Sequence, residues 1–296
     1  MDYPIRLPGK PPVVLKGWGN LPIELLAAVA GVKPVVHAWL QEADEGYLKD
    51  LRAGLGLESL VYTKQSGRLG VMIGARKEHL RETAEVWDKP ESNPGPNLGY
   101  PACCSKTYCG WIDDSRTDRE DYIYRIHANT KDRRRLPFLL NDVFYLYSRP
   151  FKPGLPEARE QIERKNANLP MNVLNVIPWH PCSYRCAASL AKARKIWKLM
   201  NELLPDLAAV VKSTLAKPVL FWDWDRFAVL DGKVLADGTC VYGSVLPPFS
   251  LLTPRAAALL AAGDRARARE GVLEVRRGSQ KLGEIAGPCL LLDFVA

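Results

Sequence analysis

The sequence predicts a mixed α+β fold with a β-rich C-terminal region, and three observations predict it. Two strand-like runs close on a turn and lead into an amphipathic helix in the first third of the chain. Residues 187–203 carry a broad apolar face at helical spacing. The last eighty or so residues change character, to short apolar strands punctuated by Gly-containing turns.

Taken in order, residues 1–20 are rich in Pro, Gly and Lys and read as extended. Residues 22–30 suit a short helix with Pro22 in its first turn, and Gly31 ends it. The run Val35-Val36-His37 reads as a strand or a short buried segment. Tyr47, Leu48 and Leu51 share one face of a helix over 43–53. Residues 60–62 and 69–73 read as strands around Gln65-Ser66-Gly67, and Leu80, Ala84 and Trp87 stripe a helix over 77–87. Three prolines and a glycine between 89 and 97 disfavour regular structure and deliver the chain to Cys103.

Beyond Cys104 the pattern allows helices over 118–128, 136–147 (carrying Asn141) and 156–165. The β-branched content of residues 171–177 reads as a strand. After the helix at 187–203, residues 207–215 read as another. Residues 219–222 and 227–230 then read as strands, with Asp231-Gly232 as a hairpin turn returning through 233–235. A strand over 240–246 follows. Thr253-Pro254 suits the cap and first turn of an alanine-rich helix to about residue 268. Strands at 272–275 and 290–294 finish the chain. The division suggested is a mixed α/β core, residues 1–216, and a β-rich accessory region, residues 217–296.

The 296 residues, 47% hydrophobic and 25% charged, are those of a globular protein. No apolar run approaches the roughly 20 residues needed to span a bilayer, and the N-terminus lacks the pattern of a signal peptide, so the expected compartment is the cytoplasm. The net charge of +8 favours acidic partners: an anionic small molecule, a peptide or RNA. Nucleic acid is one such partner but not the favoured one. The densest basic run, Lys131-Asp132-Arg133-Arg134-Arg135, reads either as a solvated segment or as a phosphate contact.

Seven cysteines cannot all pair, and clustered thiols in a reducing compartment are more often metal ligands or redox groups. Two stretches concentrate them beside rigid backbone and aromatic residues: Leu98-Gly99-Tyr100-Pro101-Ala102-Cys103-Cys104 and Ile177-Pro178-Trp179-His180-Pro181-Cys182-Ser183-Tyr184-Arg185-Cys186. If a helix begins near Pro181, Cys182 and Cys186 fall on one face a turn apart. Its N-terminus would favour thiolates. Cys103 and Cys104 are adjacent and would point apart in a regular element, so one of them is the expected ligand unless a special turn intervenes. Soft thiolates select zinc, copper(I) or iron–sulfur clusters. Neither the tandem pairs of a zinc ribbon nor the tight triple of a radical-SAM cluster is present.

Cys109 could substitute for Cys104, while Cys240 and Cys289 read as ordinary buried thiols. His37, His79 and His127 have no partner motif. Asp223 and Asp225 would share a strand face, as an acid/base pair or as solvated groups.

The pair LGYPxCC and HPCSxxC, followed by Ser189, resembles domain-of-unknown-function family 483, over roughly residues 58–220. The resemblance implies that the two cysteine segments belong together and supplies no reaction. His180 directly before Pro181 departs from the family's pattern.

The leading reading is a cysteine-ligated metal centre, an iron–sulfur cluster of the 4Fe–4S kind, in a transferase or lyase doing biosynthetic sulfur transfer or modification chemistry. Cys103, Cys182 and Cys186 would be ligands, and Cys104 a fourth ligand or a working thiol. His180 and Tyr100 would handle protons or substrate. The alternatives are a zinc-stabilised module binding nucleic acid or protein, and a metal-free thiol enzyme with Cys104 or Cys182 as nucleophile and His180 as base.

Overall fold

The computed structural model describes residues 1–87, 89, 93–113, 122–145, 173–223, 226–246, 252–269 and 271–296. The fold is mixed α+β with a β-rich C-terminal region. The chain forms two compact units that interleave along the sequence. The first is Met1–Ser115, Asn175–Cys182 and Cys186–Ala209; the second is Arg116–Leu174, Ser183–Arg185 and Val210–Ala296.

The first unit opens with the antiparallel pair β1 (Tyr3–Ile5) and β2 (Val13–Leu15). Helix α1 (Leu21–Val29) follows, apolar nearly all round and therefore buried on every side. A three-stranded antiparallel sheet comes next, in the order β3 (Val36–Gln41), β5 (Arg68–Gly74), β4 (Glu58–Gln65). Between β3 and β4 lies α2 (Gly46–Leu55), which buries Tyr47, Leu48 and Leu51 as their spacing predicts. Ser66 and Gly67 both have positive φ (48° and 74°), the primed turn that matches the twist of paired strands. Helix α3 (Lys77–Trp87) places Leu80 against Met72 and Val35. After α4 (Ala102–Asp113), the unit is completed by α6 (Ala187–Leu203), which packs against α1. Helix α7 (Pro205–Leu215) begins in this unit.

The second unit contains α5 (Tyr122–Ala128) and an eight-stranded sheet. Its strands are β6 (Leu136–Pro137), β7 (Pro218–Asp223), β8 (Arg226–Val234), β9 (Cys240–Val245), β10 (Arg265–Arg269), β11 (Val272–Arg277), β12 (Gln280–Ala286) and β13 (Leu290–Val295). From β7 to β12 neighbours in sequence are neighbours in the sheet. Strand β13 returns beside β7, and β6 joins it in parallel. Helix α8 (Pro254–Ala262), capped by the Thr253 side chain, lays Leu260 on a core of Leu220, Leu230, Tyr242 and Leu273.

Several expected elements fold otherwise. Residues 173–177 do not form a strand. They are a buried irregular segment in which the Asn175 side chain donates to the Ile177 carbonyl, so their apolar content reflects burial and not strand pairing. In place of a helix over 136–147, β6 and a short 3₁₀ turn lead to Asn141. Its side chain accepts from Val143 N and donates to the Leu215 carbonyl, diverting the backbone.

The alanine-rich helix stops at Gly263, where a β-carbon would lie 2.4 Å from Val275 Cγ1. The Arg-Ala alternation beyond it has the period of a strand, and Ala266 faces the core. Asp231-Gly232 does not turn the chain: β8 runs through it with a register shift, and Asp237-Gly238, with Gly238 at φ +81°, turns instead. Residues 156–165 and Asp225 lie outside the described residues.

Candidate metal centre

The first cysteine segment is set by a compact turn. Asn93 accepts hydrogen bonds from Gly95 N (3.1 Å) and from the Ser105 hydroxyl (2.8 Å). Backbone bonds from Leu98, Gly99 and Tyr100 close the turn on residues 94–96. Gly99 sits at φ +79°, and a β-carbon there would meet the Val32 carbonyl oxygen at 2.5 Å, so only glycine fits the close approach. Pro101 accepts from Ser105 N, which starts α4 and puts Cys103 and Cys104 in its first turn.

The second segment does not start a helix near Pro181 as its spacing suggests. Residues 182–185 form a turn, and α6 begins at Ala187 with Cys186 as its cap. The Cys186 sulfur accepts from Ser189 N at 3.4 Å, so the thiol itself takes the role usually played by Ser or Asp.

The result is a single cluster. The ligand atoms of Cys103, Cys104, Cys182 and Cys186 all lie within 4.8 Å of one another and could hold a metal ion. The Cys103 and Cys104 sulfurs are 3.9 Å apart, and each is 3.6 Å from Cys186. Adjacent cysteines therefore converge, contrary to the expectation that they point apart. Consecutive residues in a helix diverge by about 100° and not 180°, which leaves rotamers that bring both sulfurs to one side. Cys104 and Cys186 are buried, Cys182 is half-buried and Cys103 is exposed.

The surroundings favour negative charge. Helices α4 and α6 both point their N-termini at the sulfurs, and Cys182 N donates to the Cys104 sulfur at 3.3 Å. The thiols by themselves share protons unequally. The Cys104 thiol donates to Cys186 and holds it down to about 4, while that bond and burial push Cys104 well above the thiol range. Burial and the Cys186 charge push Cys182 up to about 12. A cation among the four sulfurs reverses this, because it stabilises every thiolate at once.

No family model, curated protein or solved structure matches this chain.

Residues outside the two motifs support the cluster. The Ser189 hydroxyl lies 3.1 Å from the Cys104 sulfur and accepts from Trp179 Nε1 at 3.0 Å. The Trp179 ring lies 5.9 Å from that of Tyr100, and the Lys33 ammonium sits 4.6 Å from the Tyr100 centroid. Lys33 is paired with Glu24 of α1, both buried; burial pulls each toward neutrality and each partner's charge opposes it. Lys192 of α6 donates to the Val32 carbonyl at 3.3 Å. Residues 32–34 thus touch both the Gly99 turn and α6. Ser189, three residues after Cys186, and Trp179, inside the second cysteine stretch, carried a sequence signal; Glu24 and Lys33 are joined to the site by contacts too distant in sequence to read.

The other expected residues are placed apart from the sulfurs or around them. His180 is buried and stacks on Tyr108, with ring centroids 6.2 Å apart, and is not one of the four grouped ligands. Tyr100 contributes its ring to the aromatic support. Cys109 is half-buried and outside the group, and Cys240 lies in the core of the second unit, where burial raises its thiol to about 12. His37 bonds Tyr62 Oη at 2.8 Å, and its ring lies tilted at 33° against that of Trp87, with centroids 4.1 Å apart. Asp223 lies 4.0 Å from Arg226.

Proposed function

We propose that the protein is a metal–thiolate protein that holds one tetrahedral ion, zinc, on Cys103, Cys104, Cys182 and Cys186. One observation carries the reading: the sulfurs of Cys103, Cys104 and Cys186 are 3.6–3.9 Å apart, and that of Cys182 lies within 4.8 Å of all three. Four thiolates at about 2.3 Å from a zinc ion are about 3.8 Å apart, the edge of the tetrahedron. Thiolates on different irons of a cubane cluster radiate outward and stand about 6 Å apart. A site closed by four thiolates leaves no position for substrate, so its role is to fix the two cysteine segments. Two helix N-termini offset the net negative charge of such a centre. The resemblance to domain-of-unknown-function family 483 adds that the two segments belong together.

A second reading, an iron–sulfur cluster, is favoured by the exposure of Cys103, which leaves one corner of the site open to solvent. The all-thiolate donor set suits it too. Sulfur transfer or modification of an anionic substrate would then be the activity, with His180 and Tyr100 nearby. A metal-free thiol enzyme would use Cys186 in place of Cys104 or Cys182, because Cys186 is the thiol held as thiolate and the other two are pushed up.

Metal and acid-labile sulfide in protein purified without oxygen separate the three. The expected result is one zinc per chain, no sulfide and no visible absorption. Iron with equimolar sulfide moves the assignment to a cluster. A protein that takes up no metal even on reconstitution removes both metal readings.

A further inference from the structure

The second unit carries a cleft of about 1020 Å³ that is remote in composition from the sulfur site. Five cationic side chains line it, Arg133, Arg134, Arg135, Arg185 and Lys233, against the carboxylates of Asp132 and Asp293. Two of the five are committed to the fold. Arg133 caps α5 by donating to the carbonyls of His127, Ala128 and Thr130. Arg185 donates to the Asp132 carboxylate and to the carbonyls of Asp132 and Arg134.

These bonds pin the loop 131–135 and leave its remaining guanidinium groups facing out. Arg135 is held at φ +48° by its own N–H, which donates to Asp293 at 2.7 Å. Among the described residues, no hydrogen bond or ion pair occupies the side chains of Arg134, Arg135 or Lys233, and all three are exposed. A loop braced by two arginines so that two others stay unpaired in a left-handed, strained turn is an arrangement with a cost in stability.

The cleft also has an apolar lining, with Val234, Leu235, Leu290 and Leu291 all partly open to solvent. A second cleft is lined by Arg265, Arg267 and Arg269 of β10, which alternate and so share one face, together with the carboxylates of Asp237, Glu274 and Glu284; Arg267 pairs with Asp237 at 3.6 Å. The Asp237 carbonyl accepts from Arg267 at 2.7 Å and ties the Asp237-Gly238 turn to that strand.

We propose that the first cleft binds a single strand of nucleic acid, held by its phosphates on Arg134, Arg135 and Lys233, with bases against the apolar lining. The cations come from two separate elements, the 131–135 loop and β8, and line a cleft of about 1020 Å³, far more than one phosphate fills, which suits a repeating polyanion better than a lone phosphate. Apolar side chains partly open to solvent line the same cleft, which suits unpaired bases better than a duplex whose bases are already stacked. The proposal does not depend on which ion the cysteines hold.

The test uses the full chain and a fluorescently labelled 15-nucleotide oligouridylate, with anisotropy followed from 50 to 300 mM salt. The triple variant Arg134→Ala/Arg135→Ala/Lys233→Ala is expected to bind on the order of ten- to a hundredfold more weakly, with a salt slope shallower by about two, since each phosphate contact on a single strand contributes about 0.7. Arg134→Lys/Arg135→Lys keeps the charge and is expected to retain binding. A matched triple on the first unit, Lys49→Ala/Arg81→Ala/Lys198→Ala, should leave it unchanged. The same metal content and thermal melting in all variants shows that the loss is not unfolding. The proposal is overturned if the wild-type chain does not bind at 50 mM salt or if the cleft triple binds as well as wild type. It is equally overturned if a duplex of equal length binds more tightly, or if inorganic pyrophosphate competes as well as the oligonucleotide.

Discussion

Ser189 shows how much of the sulfur site depends on a residue that is not a ligand. Its hydroxyl is shared between the Cys104 sulfur and the Trp179 indole N–H, both buried. Ser189→Ala leaves that indole donor without an acceptor and is expected to cost about 1–3 kcal/mol by denaturant unfolding. The metal content should stay the same, because no ligand is lost. Protons give a second expectation. Cys104 and Cys182 have thiols pushed above the ordinary range, so without an ion they are protonated at neutral pH, and Cys186, held at about 4, is not. Uptake of the ion must therefore release at least those two protons, and affinity rises with pH. The expected gain is at least about a hundredfold per pH unit between pH 6 and 8, read by competition with a chromophoric chelator and by proton release into weak buffer. A pH-independent affinity would contradict the proton assignment.

At the scale of elements, the sulfur site is made by the way two helices begin. Gly99 lets the chain turn into α4 beside residues 32–34. Gly99→Ala brings a positive φ and a contact with backbone at 2.5 Å, and is expected to destabilise by about 2–4 kcal/mol in a melting experiment. Gly238→Ala has a positive φ but nothing within 4 Å, and should cost only about 1 kcal/mol. Elements defined by local pattern were legible in the sequence. The α3 stripe, the Ser66-Gly67 turn, the Thr253 cap and the α6 face all lie where their spacing put them.

The elements that departed were decided by contacts far away in sequence. Residues 173–177 are apolar because they are buried, and Asn141 turns the chain because it reaches Leu215. Asp231-Gly232 stays in strand because Val241 and Tyr242 lie against it, a β-carbon at Gly232 falling 2.1 Å from the Val241 carbonyl oxygen. The sulfur cluster was legible for a different reason. Cysteines are few and chemically distinct, so their two concentrations stand out without any fold. Of the Glu24–Lys33–Tyr100–Trp179 support, Tyr100 and Trp179 lie in the cysteine stretches and stood out with them; Glu24 and Lys33 did not, because nothing local marks them as partners.

At the scale of the molecule, all four clustered cysteines belong to one compact unit, although Cys104 and Cys182 are 78 positions apart in the chain. An ion there crosslinks the chain in its native arrangement and binds the unfolded chain far less well. Chelation is expected to lower the stability of the protein by about 4 kcal/mol when free metal stood a thousandfold above its dissociation constant. Circular dichroism and melting before and after treatment with a strong chelator would read this. Among the described residues no helix is long and apolar enough to cross a membrane.

The measurement closest to the centre itself is X-ray absorption at the edge of the metal bound as the protein is purified. Four sulfur scatterers at about 2.3 Å with no second metal are the expected result. A metal neighbour at about 2.7 Å would show a multi-iron cluster, and fewer than four sulfurs would show that one of the cysteines is not a ligand. Either would contradict the single tetrathiolate ion.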